Sequence, residues 1–101
     1  MIMALINFEV APEIRLRLLN TLQPLLVEAR ASAGNLSFRA FTDSESAAHI
    51  GLIHEWETLD HFRAYSSSDL FSRVGTILRP AMTTKPVSRR LRTESIEEIR
   101  G

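Results

Sequence analysis

The spacing of apolar residues changes several times along the chain, and each change marks an element. Met3–Val10 (MALINFEV) is short, apolar on both faces except for Asn7 and Glu9, and followed closely by Pro12, which predicts a strand. From Pro12 the period lengthens. Ile14, Leu18, Leu22, Leu25, Leu26, Ala29 and Ala33 recur at helical spacing, with Pro12 suited to the first turn and Gly34 to a C-terminal stop. Pro24 lies inside this stretch and removes one backbone bond, so a kink is expected there. Asn35–Asp43 alternates, with Leu36, Phe38 and Ala40 on one face. TDSES is a turn, and His49–Glu57 follows as the second arm of a hairpin, with Ile50, Leu52, His54 and Trp56 on one face.

Thr58 is a good N-cap for a helix carrying Leu59, Phe62 and Tyr65. SSSD interrupts it. Ser68 can cap a second short helix with Leu70, Phe71, Val74 and Leu78 inward, ended by Pro80. Val87–Thr93 reads as a last strand. Ser95 and Glu98 have capping-box spacing, which predicts one more helical turn.

The resulting order, βαββαβ, with right-handed crossovers, is an α+β ferredoxin-like sandwich: a four-stranded antiparallel sheet with helices on one face. Strands apolar on both sides need cover on both sides, so a homodimer packed sheet face to sheet face is expected. One domain spans 1–101, with 94–101 a C-terminal tail.

Composition narrows the function classes. The 101 residues are 45% hydrophobic and 24% charged, with 12 basic and 12 acidic side chains and no net charge. Such a balance gives no long-range pull on nucleic acid or an anionic membrane. The basic group Arg89, Arg90 and Arg92 precedes Glu94, Glu97 and Glu98, and reads as a solvated, self-neutralising stretch. There is no cysteine, which excludes thiolate metal sites and a cysteine nucleophile and fits a cytoplasmic protein. The N-terminal MIMALINFEV is too short to span a membrane and has no basic region or cleavage site, so no signal peptide is expected.

No phosphate-binding glycine loop, nucleophile elbow or paired-aromatic RNA-binding strand is present, and no cofactor motif. His49 and His54 point to opposite faces of one strand and His61 belongs to the next helix, so no metal site is expected. His49 and His61 read as surface or capping histidines. His54 shares a face with Trp56 among apolar neighbours. It is either a structural histidine or a general base with a tuned pKa. Trp56 and Tyr65 are pocket walls or core aromatics. Asn7 needs hydrogen-bond partners, from the opposite wall or from a ligand.

HEWETLDHFRAYSSSDLF, preceded by AGNLSFRAF, resembles the antibiotic biosynthesis monooxygenase family of dimeric α+β barrels. Gly34, Trp56, Glu57, Leu59, Phe62, Ala64 and the SSSDLF turn fit its pattern, and the resemblance runs from Ile2 to about Leu91. His54 stands where the family usually has glutamate, Tyr65 where it usually has histidine, and Leu70 replaces a second common histidine. Against the haem-degrading branch Asn7 matches, but Tyr65 replaces a tryptophan and Gly75 a histidine, which disfavours haem degradation. The resemblance implies a cofactor-independent monooxygenase of a small quinol- or anthrone-like aromatic, because a deprotonated electron-rich phenol can reduce oxygen itself. His54 would then be the catalytic base, Asn7 and Tyr65 hydrogen-bonding groups, and Trp56, Phe62 and Phe71 the walls. The alternative is a non-catalytic dimer of the same fold that binds a small molecule.

Overall fold

The computed structural model describes all of residues 1–101. Strand β1 is Ile2–Glu9, helix α1 Arg15–Arg30, β2 Asn35–Phe41, β3 His49–Trp56, α2 Leu59–Ser66, α3 Asp69–Leu78 and β4 Val87–Arg92. Single 3-10 turns at Pro12–Ile14 and Arg79–Ala81 flank α1 and α3. The four strands form one antiparallel sheet in the order β2-β3-β1-β4. This is the expected ferredoxin-like architecture. The start of α1 lies just beyond Pro12, whose fixed φ suits the preceding 3-10 turn. The helix continues through Pro24 to Arg30 as one element.

The Thr58 and Ser68 capping predictions hold. The Thr58 hydroxyl accepts from the His61 N–H at 3.2 Å, and the Ser68 hydroxyl from the Phe71 N–H at 3.1 Å. Each supplies an acceptor to an otherwise unpaired donor of the first turn. Gly34 has φ +76°, and the His61 ring occupies the space a Cβ would need there. Residues beyond Arg92 form no helix or strand, so the extra helical turn expected from Ser95 and Glu98 is absent. Isolated capping-box spacing has no packed apolar face to hold it: Ile96 and Ile99 are exposed.

The period-two pattern decides which side chains meet the helices. Ile2, Ala4 and Phe8 on β1, Phe38 on β2, and Ile50, Leu52, His54 and Trp56 on β3 are buried under the helical layer. Leu22, Leu26 and Ala29 of α1, Phe62 and Tyr65 of α2, and Leu70, Val74 and Leu78 of α3 cover them. The opposite sheet face is more mixed than expected. Leu5, Ile53, Met3 and Leu91 lie near its centre, but Arg39, Arg89, Glu55 and Ser37 share it.

Candidate active site

α1 packs over β2 and against α3, while α2 lies on β3. The inner face of edge strand β4 is left without a helix over it: Ser88, Arg90 and Arg92 are all exposed. There the sheet and the helices enclose a cavity of about 240 Å³. Its floor is Ala4, Ile6, Leu52 and His54; its roof is Phe62, Tyr65, Phe71, Val74 and Leu78; Arg79, Met82, Pro86, Ser88 and Arg90 surround its mouth. A mostly apolar hollow with a few converging polar groups is the usual form of a small-molecule site.

His54 is the polar group of the floor. Only 7% of its surface is exposed. Its ring stacks on Phe38, with centroids 4.2 Å apart and planes within 8°, and meets the edge of Tyr65 at 5.4 Å. Trp56 Nε1–H donates to His54 Nδ1 at 2.7 Å. Indole nitrogen can only donate, so Nδ1 must carry a lone pair, and the neutral ring bears its proton on Nε2. Burial, reinforced by the charge of Arg90, lowers the His54 pKa to about 4, which holds this neutral form at pH 7. Nε2 has no hydrogen-bond partner in the chain.

His49 shows the contrast. Its Nδ1 accepts from the Asp43 N–H at 2.8 Å, and its Nε2–H donates to Asn7 Oδ1 at 2.8 Å. Both nitrogens are satisfied, so His49 is a structural group at the turn end of the hairpin. His54 has the same arrangement at Nδ1 and an unused donor at Nε2. Tyr65 is likewise 5% exposed, its hydroxyl has no partner in the chain, and burial raises its pKa to about 12, which keeps it a neutral phenol.

The structure brings together His54, Tyr65, Phe62 and Phe71 of the expected site. Asn7 does not join them. It pairs with Gly51 in register, on the outer sheet face, because an odd-numbered β1 residue points away from the even-numbered inner set. Its Oδ1 finds a partner in His49 on the neighbouring strand. Trp56 is fully buried and touches no part of the cavity. It stands behind the site, stacked on Tyr65 at 5.0 Å, and holds His54 in place. The arginines of the basic stretch are exposed as expected, but they do not share one face. Alternation sends Arg89 to the outer face and Arg90 to the cavity mouth, where its guanidinium carbon lies 5.1 Å from the centre of the Phe62 ring. Arg79, the other cation at the mouth, was not expected; it lies in the 3-10 turn after α3, which Pro80 marks without showing that it borders the cavity. No three of the His, Asp and Glu side chains are grouped to hold a metal ion.

Residues 1–75 match the family model described as antibiotic biosynthesis monooxygenase. The chain belongs to this family. Among solved structures, an antibiotic biosynthesis monooxygenase superposes with a TM-score of 0.82 at 16% identity, covering 94% of this chain and all of the other. A conserved protein from Methanosarcina mazei Go1 gives 0.84 at 17% identity, over 92% of both chains. A protein from Mycobacterium tuberculosis gives 0.83 at 13%, over 96% of this chain and 98% of the other. At these identities the likeness is one of fold. No functionally curated protein matches the chain. The family model covers the strand that carries His54, helix α2 and α3 as far as Gly75, while Leu78, Arg79 and β4, with Arg90, lie beyond the matched residues. No helix of this family member is long and apolar enough to cross a membrane.

Proposed function

We propose that the chain is a monooxygenase of a small electron-rich aromatic of the quinol or anthrone type, in which the substrate's own electrons reduce dioxygen, and that it works as a homodimer joined through the outer sheet faces. The observation that carries this reading is the pair of unpartnered donors, His54 Nε2–H and the Tyr65 hydroxyl, on two buried residues that line an open-mouthed, largely apolar hollow of a family member. His54 serves as a donor and not as the base expected from sequence, since its one basic atom already accepts the Trp56 indole proton.

An anthrone loses a ring-methylene proton to water at the mouth. The negative charge delocalises onto its oxygen, where Nε2–H and the Tyr65 hydroxyl stabilise it. The anion adds to dioxygen through electron transfer and recombination, giving a peroxide. The peroxide regains the proton and loses water to leave a carbonyl. In sum the methylene and one dioxygen become a ketone and one water, and the substrate supplies every electron.

Oxygen uptake with a panel of quinols and anthrones tests this. His54→Ala should lower kcat by about 100- to 1000-fold with the fold retained by circular dichroism. Undiminished turnover in that variant removes His54 from the mechanism. No uptake by the wild type across the panel overturns the catalytic reading in favour of a binding protein.

A further inference from the structure

The mouth of the cavity carries charge of one sign. Arg79 and Arg90 are the only ionised side chains that line it, and no aspartate or glutamate does. Neither guanidinium is in an ion pair; the chain's salt bridges use Arg73 and Arg100 alone. Arg79 is seated over Gly75, where a Cβ would lie 3.5 Å from Arg79 Nε, in ordinary contact. Arg90 sits on the Phe62 ring, which directs its planar face along an apolar wall. Inside, His54 can offer only an N–H. A site with two free cations, a fixed donor and no acceptor-only group is complementary to an acceptor-rich anion.

We propose that this cavity selects anionic aromatics, a flat ring system bearing a carboxylate or phenolate. The rings lie between the floor and Phe62, Tyr65 and Phe71, and the anionic oxygens reach Arg79 and Arg90. The inference rests on reading the cavity as an aromatic pocket and adds the charge of what enters it. The same charge that recruits the ligand stabilises an ionised substrate once bound.

Isothermal titration with 2-naphthoate, 2-naphthalenemethanol and 2-naphthylmethylamine separates the two readings. The naphthoate should bind the wild type at least about ten-fold more tightly than the alcohol, the equivalent of about 1.4 kcal/mol. The amine should bind more weakly than either. The preference should shrink in about 1 M salt, where charge interactions at an exposed mouth are screened. It should vanish in the double variant Arg79→Gln, Arg90→Gln and survive in Arg79→Lys, Arg90→Lys. Equal binding of acid and alcohol overturns charge selection and leaves the aromatic pocket standing. A preference that persists in the glutamine variant overturns the assignment to these two arginines. If none of the three probes binds, the aromatic-pocket reading fails and this inference fails with it.

Discussion

Replacing His54 with phenylalanine should flatten the pH dependence of stability in a specific window. In the folded chain the His54 pKa is about 4, against 6.5 for an unperturbed histidine. Burial is the main cause and Arg90 the second. Above pH 6.5 both folded and unfolded chains carry a neutral imidazole, and the full stability is present. As pH falls below 6.5 the unfolded chain takes up a proton that the folded chain refuses, so stability is lost until about pH 4. The whole loss is about 3 kcal/mol. From about pH 7.5 to about pH 5.5 it is about 1.4 kcal/mol, and this range stays above the ordinary carboxylate pKa values. Urea unfolding of both proteins at the two pH values reads the difference. His54→Phe leaves the Trp56 N–H without an acceptor, which costs about 1–3 kcal/mol at either pH, so the slope and not the absolute stability is diagnostic. An equal loss on acidification in wild type and variant refutes the burial argument, as does an NMR titration placing His54 near 6.5.

Trp56→Phe should free His54 Nδ1 and cost about 2 kcal/mol, near 10 °C in Tm; 15N correlation spectra should show Nε2 protonated in the wild type and a mixture of tautomers in the variant, and a wild-type proton on Nδ1 would contradict the assigned bond. Gly34→Ala should destabilise by at least about 1–2 kcal/mol, because alanine is strained at φ +76° and the His61 ring fills the space; an unchanged thermal midpoint would show that this corner relaxes freely. Ile53→Glu, at the centre of the outer sheet face, should weaken dimerisation at least about ten-fold in sedimentation velocity at micromolar concentration, and a well-folded wild-type monomer would remove the sheet-to-sheet dimer.

Period-two and helical spacing were enough to order the elements, because the strands and helices that build the core each present an apolar face to it. They also placed His54, Trp56, Ile50 and Leu52 together on β3, since residues two apart share a side. What one strand cannot reveal is its register against another. Asn7 and His54 belong to opposite faces only because Ala4 stands across from His54 and Gly51 across from Asn7. Register also creates the Asn7–His49 bond between residues 42 apart. The role of His54 was hidden for a finer reason. Sequence shows a histidine two positions before a tryptophan, but the choice between base and donor depends on a single 2.7 Å contact at Nδ1. Arg90 was legible as a charge but not as a rim residue, because its exposure depends on the helices stopping short of β4.

The chain's only tryptophan and only tyrosine are stacked on each other, and the indole N–H is bound to the histidine of the cavity floor. All indole fluorescence therefore comes from one buried place. Light absorbed by Tyr65 passes to Trp56 across 5.0 Å, and protonation of His54 places a quenching cation at the edge of the emitter. Tyr65 forms part of the cavity wall, so an aromatic guest docks against one member of this donor–acceptor pair. The protein thus contains its own optical gauge of whether the cavity is empty, filled or acidified, with no label attached and no second tryptophan to subtract.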